Sequence, residues 1–259
     1  MAATSNMHAA QHPPSDATHV AQPAHPRVAA LVEVLRTVGL SFLAWLVAMT
    51  AVMSAIGLLL THVLDHTAIV RFDERFAHTL ADGRTHTLDR LTGMGTFIAD
   101  PIPVATLWLL LVIAATIATR NWVAPAFPMI AIGGEKLSYF FTTLVVRRPR
   151  PDVPTLGQLH VTSSFPSGHV GSAISVYGSI ALLLLWWFRR SSLRWRIPAG
   201  VIVALLAAIV GASRLYRGHH FVTDVIVGAM VGVTWLLIAH HLLWHCLPER
   251  ERRGEDAAA

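Results

Sequence analysis

The sequence is poor in cysteine, in lysine and in charge as a whole. Cys246 is the single cysteine among 259 residues, which excludes an intrachain disulfide framework and any zinc site built on cysteines. Lys136 is the single lysine beside 19 arginines. Charged residues make up 14% of the chain and hydrophobic residues 54%, whereas a soluble domain carries about 25% charged residues. This composition excludes a disordered protein and disfavours an ordinary soluble enzyme.

Six long apolar runs predict an all-α fold, a polytopic membrane helix bundle with six transmembrane helices. Each run is close to the ~20 residues that a helix needs to cross a bilayer. Glu135 and Lys136 interrupt the third run. The fifth run is the shortest, so it either extends into its flanks or is tilted little. The runs are 39–60, 101–119, 122–146, 170–188, 197–212 and 225–244.

Two tails and one connector lie outside these runs. Residues 1–28, rich in Ala, His and Pro, predict a disordered N-terminal tail, residues 29–247 the six-span domain, and residues 248–259 a disordered C-terminal tail. For the tail histidines a plain solvated tail is favoured over metal binding. Between the first two spans, an apolar spacing predicts a short amphipathic helix on the membrane surface, acting as a connector or a lid. Its apolar residues are Val70, Phe72, Phe76 and Leu80.

The positions of the arginines predict the orientation in the membrane. With the N-terminus inside, ten arginines lie inside and nine outside, and five of those nine fall in polar motifs where a bound anion explains them. Without those five the ratio is ten to four, and the short loop 189–196 is the strongest inside signal. We therefore expect both termini in the cytoplasm and the motifs on the extracytoplasmic side of the cell membrane. The basic charge then indicates topology and phosphate binding, with no nucleic acid partner.

Three polar segments fall on that same predicted face of the membrane. They are residues 147–151, which close the third span, residues 163–169, which open the fourth, and residues 213–224, which join the fifth and sixth. Taken singly, each has a simpler explanation: arginines at a span end are topology signals, an interfacial histidine is structural, and a Ser-Gly pair is a turn. Their convergence beside a predicted helix start indicates an anion site.

In the third segment, His220 and Asp224 are four residues apart and share a helix face. We expect Asp224 to accept the Nδ1 proton of His220, which leaves Nε2 free as a nucleophile. His219 is five residues before Asp224 and fits this geometry less well. Arg214 precedes His220 by six residues across a glycine-containing loop, from where its planar guanidinium can fold back onto an anion.

The other two segments supply a helix start and more positive charge. Ser167 is a good N-cap and Gly168 allows a close approach of the backbone, so the helix N-terminus that follows attracts phosphate. His169 is placed to protonate a departing oxygen. Two X-Pro pairs hold residues 147–151 extended, so their arginines project at different angles. We expect Arg150 to bind the phosphate, with Arg148 as a second contact.

These segments resemble the tripartite signature of the phosphatidic acid phosphatase type 2 family. That family includes membrane lipid phosphatases and, more distantly, vanadium-dependent haloperoxidases and glucose-6-phosphatase. Its pattern is Lys-x6-Arg-Pro, Pro-Ser-Gly-His and Ser-Arg-x5-His-x3-Asp. Residues 166–169 match the second part completely, and Ser213, Arg214, His220 and Asp224 match the third completely.

The first part of the signature departs from the family pattern. Arg150 and Pro151 match its end, but Thr143 stands at the lysine position. Lys136 lies seven residues earlier, about 10 Å deeper along a helix, and we expect it to pair with Glu135 or another polar group. Arg147 or Arg148 could supply the missing charge.

The resemblance implies a metal-independent phosphatase without a cofactor. His220 would attack phosphorus and form a phosphohistidine, His169 would protonate the leaving group, and water would release inorganic phosphate. The charge on the equatorial oxygens would be stabilised by Arg148, Arg150, Arg214, Ser167 and the Gly168 N–H. The substrate would be a lipid phosphate in the bilayer, such as phosphatidate, phosphatidylglycerol phosphate or a polyprenyl diphosphate of the undecaprenyl type.

Two other functions remain open at the level of sequence. The same phosphohistidine could pass its phosphate to a lipid or sugar acceptor, which would make the protein a phosphotransferase. A non-catalytic lipid-binding or transport protein is the other alternative, supported by Thr143. A haloperoxidase is disfavoured because six spans leave little soluble domain. The sequence does not give the oligomeric state or the identity of the lipid.

Overall fold

The computed structural model describes residues 26–119, 122–158, 162–188 and 192–245, and this part of the chain is all-α, as predicted. A π-helical turn at Leu59–Val63 extends the first helix. The helices are α1 (Pro26–Leu58), α2 (Ala68–Asp82), α3 (His86–Phe97), α4 (Pro101–Thr119), α5 (Val123–Val145), α6 (Gly168–Trp187), α7 (Leu193–Tyr216) and α8 (Val222–His245).

Each of the six predicted apolar runs forms one long helix, namely α1, α4, α5, α6, α7 and α8. Within the described ranges, five helical segments are long and apolar enough to cross a membrane, and α5, which carries Glu135 and Lys136, is not one of them. The count of six spans therefore stays a prediction. The fifth run does extend into its flanks, since α7 begins before residue 197 and ends after residue 212. The five segments are 35–63, 86–119, 168–187, 193–216 and 222–243.

The ends of the chain and the first connector differ from the expectation. Helix α1 begins at Pro26, so residues 26–28 of the predicted tail are helical, while residues 1–25 and the predicted tail at 248–259 lie outside the described residues. The first connector contains two helices, α2 and α3, where a single short one was predicted. Helix α2 is amphipathic as expected, with Phe72 exposed, but Asp73 lies on its buried side beside Ala77.

Helix α6 lies at the centre of the bundle and packs against α5, α7 and α8. Its contact with α8 depends on small residues, because a Cβ on Gly232 would come within 2.7 Å of the Gly171 carbonyl oxygen. Close backbone packing of this kind is the main attraction between helices in lipid, where apolar side chains gain little by leaving the solvent. The first three turns of α6 are consequently buried.

Three loops interlock at the end of the bundle where α5 ends, α6 begins and α7 turns into α8. The Ser164 N–H donates to the Arg148 carbonyl at 3.0 Å, and the Ser167 N–H donates to the Asp224 carbonyl at 3.0 Å. Helix α7 closes in a Schellman motif, in which Gly218 adopts a φ of 72° and the His219 N–H returns to the Arg214 carbonyl at 3.0 Å. The positive φ at Gly218 turns the chain so that both histidines follow the helix end directly.

Adjacent glycines on α5 give a direct test of this packing. An alanine Cβ at residue 134 would overlap the ring of Trp235, which is fully buried and held by its Nε1 donating to Ser138 Oγ at 3.0 Å. We expect Gly134→Ala to lower the free energy of unfolding by about 1–3 kcal/mol. Gly133 has open space around it, so Gly133→Ala should keep stability or raise it by up to about 1 kcal/mol. Thermal unfolding in detergent measures both, and equal melting temperatures would contradict the packing.

Candidate active site

The imidazole of His220 is buried in the loop between α7 and α8, and one of its nitrogens is fixed by the backbone. Nδ1 lies 2.6 Å from the Ser164 carbonyl oxygen. A carbonyl only accepts, so Nδ1 carries the proton and Nε2 keeps its lone pair. The expected partner, Asp224, is farther away, with Oδ2 3.8 Å from Nδ1. The free Nε2 agrees with the prediction from sequence, but the group that holds the Nδ1 proton is a carbonyl of the preceding loop.

The protonation states of the two adjacent histidines follow from their surroundings. Burial lowers the pKa of His220, and the positive charges of Arg214 and Arg150 act in the same direction, while Asp224 opposes them. Burial, together with Arg214, lowers the pKa of His219 to about 3. Both rings are therefore neutral near pH 7. The Nε2 of His219 donates to the Leu156 carbonyl at 2.8 Å, which directs this ring towards the loop that follows α5.

Asp224 belongs to a buried ion network next to His220. Arg148 lies between two carboxylates, with Nη1 2.6 Å from Asp224 Oδ1 and Nη2 3.0 Å from Asp73 Oδ2. Its guanidinium also stacks over the Phe221 ring at 4.3 Å, and Nη1 donates to Thr223 Oγ1 at 2.7 Å. Both terminal nitrogens of Arg148 are thus engaged on the far side of Asp224. Arg148 thus helps to hold Asp224 in place, and the phosphate contact expected for Arg148 stays a prediction.

Asp73 was not identified from the sequence. Its carboxylate accepts from the Thr223 hydroxyl and from the Thr223 N–H at 3.2 Å, so α2 is tied to the first turn of α8. The available signal was a single carboxylate on a helix face that is otherwise apolar, next to Ala77. Since a buried charge without a partner is costly, that position already called for a cation such as Arg148.

The start of α6 carries a buried polar group that lacks a hydrogen-bond partner among the described residues. Ser167 is the N-cap residue and is fully buried, and its hydroxyl is without a hydrogen-bond partner among the described residues. The first N–H groups of a helix have no partner within it, which makes this end a site for anions. A Cβ on Gly168 would come within 2.8 Å of the Tyr139 ring, so glycine is required by the close packing here.

Two further arginines lie at the same end of the bundle. Arg150 bridges the loops, because Nη1 donates to the His219 carbonyl and Nη2 donates to the Ser163 carbonyl at 3.3 Å. Arg214 is buried at the end of α7, with Nη1 donating to Thr96 Oγ1 at 3.2 Å. Its Nε is buried without a partner among the described residues. Its charge acts on both His169 and His220.

His169 occupies the first turn of α6 and has a carboxylate partner that sequence analysis missed. Its Nε2 lies 2.9 Å from Asp100 Oδ1, in the link between α3 and α4. His169 and His220 are close enough for the charge of one to act on the other. The Ser167 N–H that donates to the Asp224 carbonyl at 3.0 Å joins the starts of α6 and α8, so both imidazoles lie at the same end of the bundle as four of the expected phosphate ligands. Those ligands are Arg150, Ser167, Gly168 and Arg214.

The adjacent charged residues of α5, Glu135 and Lys136, form the ion pair that was expected from the sequence. Lys136 Nζ donates to Ser172 Oγ and lies 3.6 Å from Glu135 Oε2. Thr143, at the lysine position of the signature, donates to the Phe140 carbonyl of its own helix at 2.8 Å. Lys136 of α5 thus contacts α6 one turn after the start of that helix. It does not take the place of the motif lysine, which was expected at residue 143.

Comparison with known proteins identifies relatives of this chain. The model of the PAP2 superfamily matches residues 105–248. Phosphatidylglycerophosphatase B of Bacillus subtilis is 40% identical over 106 residues, which are 40% of this chain and 51% of that protein. Undecaprenyl-diphosphatase BcrC of the same organism is 32% identical over 157 residues, which are 58% of this chain and 74% of BcrC. The chain thus spans about half the length of the first relative.

Solved structures show the same fold. A transmembrane PAP2 type phosphatidylglycerolphosphate phosphatase from Bacillus subtilis superposes with a TM-score of 0.63 at 23% identity, over 76% of this chain and 93% of that one. Aquifex aeolicus LpxE superposes with a TM-score of 0.51 at 25% identity, over 65% of this chain and 94% of that one. With its apolar helices and the match over residues 105–248, the chain is a multi-pass membrane protein and belongs to the PAP2 superfamily.

Proposed function

We propose that this protein is an integral-membrane phosphatase that removes phosphate from a lipid phosphate or a polyprenyl diphosphate through a phosphohistidine on His220. One observation carries the proposal: Nδ1 of His220 is 2.6 Å from the Ser164 carbonyl, which leaves the lone pair of Nε2 available. The buried Ser167 hydroxyl and Arg214 Nε, both without partners among the described residues, are donors suited to phosphate oxygens.

In the first step, the Nε2 lone pair of His220 attacks phosphorus while the bond from phosphorus to the lipid oxygen breaks. His169 gives a proton to that oxygen, so the lipid leaves as an alcohol, or as a monophosphate when the substrate is a diphosphate. The imidazole that carries the phosphoryl group gains positive charge. Asp224 at 3.8 Å and the Ser164 carbonyl at 2.6 Å stabilise that charge.

In the second step, water attacks the phosphohistidine and His169 accepts the proton that the water loses. Arg150, Arg214, the Ser167 hydroxyl and the Gly168 N–H stabilise the equatorial oxygens in both steps. Fixed donors of this kind cost little reorganisation because the buried loops already hold them in place. The product is inorganic phosphate and the nucleophile is regenerated.

Charge stabilisation in this mechanism comes from guanidinium groups and needs no metal ion. Asp224, which lies 3.8 Å from Nδ1 of His220, already shares the cation of Arg148 with Asp73. A divalent ion would have to displace that guanidinium from a buried position. We therefore propose a metal-independent reaction without a cofactor.

The position of the site supports a lipid substrate. The phosphate pocket is at the end of the bundle where apolar helices α6, α7 and α8 begin or end, so the phosphate of a lipid reaches it while the chains stay in the bilayer. The names of the relatives include a phosphatidylglycerophosphatase and an undecaprenyl-diphosphatase, and both lipids are candidates together with phosphatidate.

The arginine distribution favours cytoplasmic termini and an extracytoplasmic site. The proposed membrane domain at 29–247 is extended at its start to Pro26, where α1 begins, and the proposed C-terminal tail is 248–259.

His220→Ala tests the nucleophile in a phosphate-release assay in detergent with a lipid panel, EDTA and no acceptor. The wild type should release inorganic phosphate, which water as acceptor explains and a phosphotransferase does not. The variant should lose activity by about 10³-fold or more on each lipid that the wild type hydrolyses. His86→Ala, an exposed histidine on α3, is the matched control. Full activity in His220→Ala would overturn the assignment, and loss of wild-type activity in EDTA would overturn metal independence.

Alanine substitutions of Ser167 and Ser163 distinguish a loss of phosphate binding from a loss of stability. The Ser167 hydroxyl makes no hydrogen bond within the described residues, so Ser167→Ala should keep the melting temperature and lower kcat/KM by about 10–100-fold, less than the loss of a full oxyanion donor. The Ser163 hydroxyl donates to the Val146 carbonyl at 2.6 Å and accepts from the Phe165 N–H at 3.3 Å. Ser163→Ala should therefore lower the melting temperature. A destabilised Ser167→Ala with normal kinetics would contradict the phosphate-binding role.

A further inference from the structure

Asp100 lies in a short, tightly held link between α3 and α4. On its N-terminal side, Ala99 is buried among α6 and α7 residues, and the Ile98 carbonyl accepts from the Tyr177 hydroxyl at 2.8 Å. On its other side, the Val104 N–H donates to the Asp100 carbonyl at 3.0 Å, so Asp100 opens α4. From sequence, an aspartate before a proline is read simply as a helix start.

The side chain of Asp100 reaches across to α6. Oδ1 lies 2.9 Å from Nε2 of His169, whose side chain is 12% exposed, while that of Asp100 is 32% exposed. Neither partner is free to leave the contact by a small movement, since His169 is in the first turn of a packed helix and the Asp100 backbone is held on both sides. Asp100 also lies outside residues 105–248, where the family model matches.

We propose that Asp100 is the positioning residue for the general acid His169, a role that rests on the proposed phosphatase function. The carboxylate accepts a hydrogen bond from the Nε2–H of His169. This contact fixes the ring and stabilises its cationic form. The proton that leaves is then the one on Nδ1. As the bond from phosphorus to the lipid oxygen breaks, the electron pair goes to that oxygen, which takes the Nδ1 proton, and His169 is left neutral.

The same contact serves the second step in reverse. Neutral His169, still donating Nε2–H to Asp100, accepts a proton from the attacking water on Nδ1, while the new oxygen bond to phosphorus forms and the bond to His220 breaks. His169 is again cationic and again stabilised by the carboxylate. Asp100 itself neither touches the substrate nor changes its protonation state in this cycle.

Asp100→Asn tests this role, because the amide keeps the size of the side chain and removes the charge. With phosphatidate, or whichever lipid the wild type hydrolyses fastest, kcat should fall about 10–100-fold, below the ~10²–10⁴ that a general acid supplies, and KM should stay unchanged. With p-nitrophenyl phosphate, whose leaving group needs no proton, kcat/KM should stay within about threefold of the wild type. His169→Ala should show the same dependence on the leaving group with a larger loss on the lipid.

Asp82→Asn, the same change at an exposed carboxylate on α2, is the matched control and should leave kinetics and melting temperature unchanged. An Asp100→Asn protein that loses activity equally on both substrates, raises only KM, or keeps full lipid activity would overturn the inference. A wild type that releases no phosphate from any lipid would instead overturn the proposed function, so the two failures are distinguishable.

Discussion

The arrangement at the site depends on one buried guanidinium. Arg148 is 3% exposed and lies between Asp73 and Asp224. Removing either carboxylate from such a buried group costs about 3–5 kcal/mol, because the remaining charge is left without a partner. The three residues come from the loop after α5, from α2 and from the first turn of α8, so a single charge network fixes three separate parts of the chain relative to one another.

That network acts indirectly on His220, the proposed nucleophile, through Asp224. Asp224, held by Arg148 and by the Phe221 N–H at 2.8 Å, stays 3.8 Å from His220 and acts on it as a charge. The hydrogen bond that decides which nitrogen is free comes from the Ser164 carbonyl. The Ser164 carbonyl orients the neutral His220 ring, and Asp224 keeps a negative charge nearby for the proposed phosphohistidine.

Sequence patterns could predict the parts of this molecule that depend on local physics. The apolar runs gave the six long helices, and the Pro-Ser-Gly-His segment marked the start of α6, because span length and helix capping are properties of consecutive residues. Asp100 could not be predicted, since it reads locally as a helix start and acquires its partner only through tertiary packing. Asp73 left one signal, a carboxylate on an otherwise apolar helix face, which indicates a cation partner but does not identify it. For the same reason, the motif shows that a cation is present at Arg148 but not that Asp73 and Asp224 are its partners. The partner of His220 was missed because a backbone carbonyl leaves no mark in the sequence.

The central claim is that Nε2 of His220 takes the phosphoryl group, and a rapid-quench experiment tests it most directly. The purified protein in detergent is mixed with a lipid phosphate that carries a radioactive phosphoryl group, quenched in alkali within milliseconds, and digested to peptides. The account predicts a label that is stable in alkali and labile in acid, on the peptide containing residue 220. Turnover with no labelled protein at any time, or a label on His169 or His219, would contradict it.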